Sequence, residues 1–154
     1  MEPVSLEVER YVRELFDKFP CHQREGMILE VVGEGEVVVS VIVKPEHCTF
    51  YKDSMQGGYI GVFTDSPMWM ALMTDPVLWG SEIRTKCLPI EDFSKVVKNG
   101  DTLKIYARRA EIHFDKKGRT FFLSAAEVRN SKSALVAIAT AVNLLVKKTG
   151  KAKK

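Results

Sequence analysis

The chain has 154 residues, 45% hydrophobic and 28% charged, with a formal net charge of +3. That size and balance suit one soluble domain able to bury a core without disulfide staples. No run approaches the roughly 20 uninterrupted apolar residues that a membrane span needs.

Five lysines fall in the last eight residues, KKTGKAKK, and without them the rest of the chain stands at −2. Residues 147–154 therefore read as a basic, solvated and disordered tail rather than a nucleic-acid surface. Cys21, Cys48 and Cys87 are odd in number and widely spaced. They predict free thiols in a reducing compartment, and no CxxC pair or His/Asp/Glu cluster has metal-ligand spacing. The start, MEPVSLEVERYV, is acidic and lacks the basic-then-apolar order of a secretory signal. A cytoplasmic protein with no metal, no membrane and no nucleic-acid partner is expected.

Along the chain, Val8, Tyr11, Val12, Leu15, Phe16 and Phe19 form one stripe of an amphipathic helix over 5–19, with Ser5 as N-cap and Pro20 as its stop. His22, beyond the proline, reads as a loop residue. MILEVVGEGEVVVSVIVKP then gives two β-branched runs around Gly33-Glu34-Gly35, a hairpin that ends at Pro45. His47 and Cys48 are adjacent. On an extended chain they point opposite ways, which argues against a nucleophilic pair.

MQGGYIGVFTDSPMWMALM, residues 55–73, has the length and Met/Leu content of a helix that is apolar on nearly every side, so it should be enclosed. One acid, Asp65, stands inside it, although burial disfavours a carboxylate. Asp65-Ser66-Pro67 would equally pass for a helix start, with Asp65 a capping acid and Ser66 the N-cap. Downstream, SEIRTKCLPI, TLKIYARRAEIHFD, RTFFLSAAEVRN and ALVAIATAVNLLV read as strands joined by tight turns, the last three a meander. In ALVAIATAVNLLV, alanines alternate with β-branched residues, which favours strand over helix. The order predicts an α+β domain over 1–146, one antiparallel sheet wrapped around a central helix, with an extra N-terminal helix.

This order, with QGGYIGVFTD opening the enclosed helix, resembles the hotdog-fold thioesterases. The branch it is most similar to contains the phenylacetic-acid-degradation and 4-hydroxybenzoyl-CoA enzymes. The likeness extends over about residues 25–146 and includes the strands EIRTKCLPI and AEVRNSKSALVAIATAVNLLV. The family shows His-Gly-Gly followed by an acid eight positions after the first glycine, and Gly57, Gly58 and Asp65 keep that spacing. The resemblance implies an acyl-CoA thioesterase. The Gly57 and Gly58 amides would polarise the thioester carbonyl, and Asp65 would act as nucleophile or general base. Coenzyme A is then part of the substrate and no cofactor is implied.

Gln56 replaces the family's histidine and can position but not transfer protons. Ser81 is the candidate for the hydroxyl that relatives carry near the start of the next strand. Tyr51, Tyr59, Met68 and Trp69 are candidates to wall the acyl pocket, and Arg129 and Lys132, with the turn residues Lys116, Lys117 and Arg119, to meet the nucleotide phosphates. Eight helical residues cover about 12 Å, so a glycine amide and Asp65 of one helix cannot grip the same carbonyl. The site requires two chains, a homodimer with the possibility of pairing into a tetramer. The departures at Gln56 and Ser81 keep a second reading open, a hotdog protein that binds an acyl thioester without cleaving it.

Overall fold

In a computed structural model, described for residues 2–49, 54–91, 96–114 and 119–147, an antiparallel sheet packs one face against a long helix. The first helix, α1 (Leu6–Lys18), is capped at Ser5, whose side chain accepts from the Val8 amide at 3.3 Å. It buries Val8, Val12 and Phe16, the predicted stripe. Pro20 does more than stop this helix. It occupies the first turn of a second, α2 (Pro20–Glu25), because a proline's missing N–H and fixed φ suit that position. His22 therefore lies on a helix and is buried, which corrects its reading as a loop residue.

Strands β1 (Ile28–Gly33) and β2 (Glu36–Ile42) pair as the predicted hairpin, and Gly35 takes the left-handed φ of 70° that the two-residue turn needs. After a short 3-10 turn at Pro45–His47 comes α3 (Gly58–Met73), a continuous helix with Pro67 inside it. Its N-cap is Gly57, so Asp65 sits at mid-helix and is no capping acid. Four strands follow: β3 (Glu82–Glu91), β4 (Thr102–Phe114), β5 (Thr120–Asn130) and β6 (Leu135–Lys147). All neighbours are antiparallel in the order β1-β2-β4-β5-β6-β3.

The core divides its volume unequally. From α3 come Phe63, Met68, Met70 and Leu72, all fully buried, while β6 turns Ala137, Ala139, Ala141 and Asn143 inward. Small residues on the strand admit large ones on the helix at close range. The β-branched partners Ile138 and Val142 face outward and stay partly exposed. On the far side of α3, Tyr11 of α1 stacks on Trp79 with ring centroids 4.0 Å apart, and the Trp79 indole donates to the Met73 carbonyl at 2.7 Å. That bond satisfies one of the free carbonyls at the end of α3. No helix among the described residues is long and apolar enough to cross a membrane. The basic tail from residue 148, and Tyr51, Lys116 and Lys117, lie outside the described residues.

Candidate functional site

Two features of α3 carry the chemistry. Its N-terminus at Gly57–Gly58 is one. The Tyr59 amide donates to Gln56 and the Ile60 amide to Gly57, whereas the Gly57 and Gly58 amides have no acceptor among the described residues. A Cβ built on Gly58 would meet nothing within 4 Å, so the end of the helix is open. Free amides at the positive end of a helix make a ready site for a developing oxyanion.

This end of the helix is fixed by a buried pair. His47 accepts the Lys44 amide on Nδ1 at 3.0 Å, so its ring proton sits on Nε2, which donates to Glu25 Oε2 at 2.8 Å. Desolvation pushes the Glu25 carboxyl up, but the bonds from Arg24 and His47 outweigh it and leave it below the usual carboxylate range. The His47 carbonyl accepts the Gln56 amide at 2.8 Å, and its ring packs against Tyr59 and Phe63. His47 is thus structural. It occupies a 3-10 turn rather than extended chain, and the Cys48 thiol goes to the Lys44 carbonyl instead of to its ring.

Asp65 is the second feature. It lines an open groove of about 590 Å³ between the α1–α2 corner, α3 and β3. Phe19 and Cys21 form one wall, Gly61, Val62 and Ser66 flank Asp65 on α3, and Thr85, Lys86 and Cys87 close the β3 side. Asp65 is exposed at the groove rather than buried, no hydrogen bond or ion pair among the described residues reaches its carboxylate, and partial desolvation by its neighbours pushes its pKa up. Burial also pushes the Cys87 thiol up, so it stays protonated, with only a partial offset from Thr64. Groups that hold a metal ion are absent among the described residues.

The groove contains hydroxyls that sequence reasoning passed over. The Thr85 hydroxyl donates to Asn143 Oδ1 at 2.7 Å, and the Asn143 amide donates in turn to Ser124 Oγ and the Phe122 carbonyl. Ser66 bonds His22, which also bonds the Phe16 carbonyl through Nδ1 at 2.8 Å. These partners are 58 and 44 residues apart in sequence. The one available signal was the adjacency of Ser66 to Asp65.

The other candidates lie elsewhere within the chain. Ser81 does not line the groove, and its buried Oγ has no partner among the described residues. Met68 is fully buried in the core, and Trp69 leans on Phe19 with centroids 5.6 Å apart. Tyr59 turns toward His47, away from the groove residues. Arg129 is engaged by Glu127 at 2.6 Å and by the Ser133 carbonyl, while Lys132 is exposed in the β5–β6 turn. Arg119 lies over the Phe121 ring.

An antiparallel sheet laid against one long helix, with the acid and the glycine pair on that helix, can be set beside solved structures. The PaaI protein of the E. coli phenylacetic acid degradation operon superposes with a TM-score of 0.75 at 17% identity, over 95% of this chain and 98% of its own. This is a hotdog fold. A hypothetical thioesterase of Streptococcus pneumoniae TIGR4, solved with coenzyme A, shares it with a TM-score of 0.65 at 19% identity, over 80% of this chain and 88% of that one. A Streptococcus mutans UA159 protein bound to acetyl-CoA matches with a TM-score of 0.63 at 26% identity, over 82% and 91%. No family model and no curated protein matches the sequence. The structural neighbours of this hotdog domain are PaaI-like and other thioesterase-superfamily proteins.

Proposed function

We propose that the protein is an acyl-CoA thioesterase that hydrolyses R–CO–S–CoA to a carboxylic acid and free coenzyme A. The observation that carries the reading is the Asp65 carboxylate, without a partner among the described residues, in a largely apolar groove on the same helix as an open Gly57–Gly58 N-terminus. The two features lie about 12 Å apart along the helix, so one chain holds half of each site. In a two-fold dimer the Gly57–Gly58 amides of one subunit face Asp65 of the other, giving two equivalent sites. The coenzyme A and acetyl-CoA found on hotdog neighbours support a coenzyme A thioester as the substrate class.

In this reading the glycine amides stabilise the carbonyl oxygen as it becomes negative, and Asp65 takes the proton of the attacking water. The same proton then leaves with the thiolate. Desolvation suits Asp65 to the role, because a carboxylate held above its usual pKa is a stronger base. Gln56, at the mouth of the helix, has a positioning part only.

The test is release of coenzyme A from a panel of short, long and aromatic acyl-CoAs, with Asp65→Asn run alongside. Turnover that disappears in the variant supports the reading, and full activity in the variant refutes it. A second reading rests on Gln56 in place of a titratable group and on Ser81 lying outside the groove. It is a protein that holds an acyl thioester without cleaving it, marked by saturable acyl-CoA binding with no thiol release.

A further inference from the structure

The Ser66–His22 contact ties the groove wall on α3 to α2. A serine within a helix ordinarily returns its hydroxyl hydrogen to a carbonyl one turn back. Ser66 instead reaches across to α2, where His22 is 1% exposed and stacked between the rings of Phe16 and Phe19, with centroids at 3.9 and 5.1 Å. A carbonyl can only accept, so the bond to Phe16 fixes the imidazole proton on Nδ1. Nε2 is then bare and must accept from Ser66. Desolvation holds the His22 pKa below its ordinary value and keeps this tautomer neutral. Ser66 is half-buried and lines the groove next to Asp65.

We propose that His22 and Ser66 are positioning residues for the attacking water: His22 takes the Ser66 hydrogen, so the Ser66 oxygen faces the groove as an acceptor only. Asp65 is also an acceptor. A water between them gives one hydrogen to each, which leaves its lone pair free to meet the acyl carbon. In the step itself, the water oxygen bonds to the acyl carbon and one hydrogen passes to Asp65. The second hydrogen stays on oxygen, held by Ser66. The carbon–sulfur bond then breaks, and the thiolate recovers the proton from Asp65. This inference rests on the thioesterase reading and supplies the groove hydroxyl that Ser81 does not.

The experiment measures kcat and KM on the best acyl-CoA for Ser66→Ala, Ser66→Thr, His22→Phe and the double variant Ser66→Ala/His22→Phe. Losing one water-orienting hydrogen bond predicts a fall in kcat of about tenfold for Ser66→Ala with KM unchanged. Ser66→Thr restores the rate, and the double variant is no slower than Ser66→Ala, since His22 acts only through Ser66. Should His22→Phe fail to fold, the two Ser66 variants still decide. Native kcat in Ser66→Ala overturns the inference, as does a double variant that multiplies the two single losses. Asp65→Asn separates the two levels. If it is inactive while Ser66→Ala is native-like, only the inference on Ser66 falls. If Asp65→Asn is fully active, or the native protein cleaves no acyl-CoA, the thioesterase reading falls with it.

Discussion

Replacing Asp65 with Asn removes a charge from the groove while keeping the size and shape of the side chain. Two effects follow, of opposite sign. A positioned general base contributes about 10²- to 10⁴-fold, equivalent to roughly 2.7–5.5 kcal/mol of barrier at 1.36 kcal/mol per decade. Hydrolysis should fall by that factor. Stability should rise instead. With its pKa raised by desolvation, Asp65 binds its proton more tightly in the folded state than in the unfolded one. Stability therefore declines as pH climbs from the ordinary carboxylate value, about 3.9, through the higher folded value. Asn carries no such penalty. The variant should melt above the native protein at neutral pH, and the gap should close on acidification below about pH 3.9. Both parts can be read from one preparation, by following loss of thioester absorbance and by thermal melts across pH. A variant that hydrolyses normally, or that melts below the native protein at neutral pH, refutes the reasoning.

Four further outcomes are expected. Gly58→Ala, whose added methyl meets no other element among the described residues within 4 Å, should keep or raise stability by about 0.4–1 kcal/mol. It should nevertheless lower kcat/KM by roughly 10²-fold, as a small misplacement of the thioester does, so melting and turnover would move in opposite directions. Equal mixing of Asp65→Asn with Gly58→Val chains should recover about a quarter of native activity, because half the dimers then hold one intact site of two. No recovery after subunit exchange argues against a shared site. Glu25→Ala leaves the buried His47 Nε2–H without its acceptor and should cost about 1–3 kcal/mol in denaturant unfolding. The Glu25 carboxyl is held low, so its contribution is present above the ordinary glutamate value of about 4.3 and is lost as pH falls through the folded one. Thr85→Val removes the donor to buried Asn143 Oδ1, with a similar expected loss of about 1–3 kcal/mol in the same assay.

The elements with strong periodicity were legible in the sequence. The stripe of α1, the β1–β2 hairpin and the alternation in β6 each match a single geometry, and the chain adopts it, while α3 is buried along most of its length and opens at Val62 and Asp65 to the groove. Asp65 stood out for the same reason, as one acid in an apolar run. Other features turn on choices that local sequence leaves balanced. Pro20 suits both a helix stop and a helix start and serves as both, and the second helix carries His22 against Phe16 and Phe19, contacts that local sequence does not encode. Asp65-Ser66-Pro67 could have opened a helix, yet the burial of Thr64, Pro67 and Met68 on the core side of α3 carries the helix through Pro67. The loss of one backbone hydrogen bond there is outweighed by the core that surrounds it. The hydroxyls of Ser66 and Thr85 gain their significance from partners on other elements, which no spacing along the chain encodes.

The unequal sharing of volume between α3 and β6 also determines where this protein can change. Ala137, Ala139 and Ala141 have almost nothing to give up, and enlarging any of them drives the strand against the helix, an overpacking cost of about 1–3 kcal/mol. On α3 the limit is the opposite one: trimming the fully buried Phe63, Met68 or Met70 leaves a cavity, at a cost of about 2–5 kcal/mol. Neither side of this interface can change size alone. The room beside Asp65 is bounded on α3 by Gly61, Val62 and Ser66 instead, so it can change shape while the α3–β6 interface stays as it is.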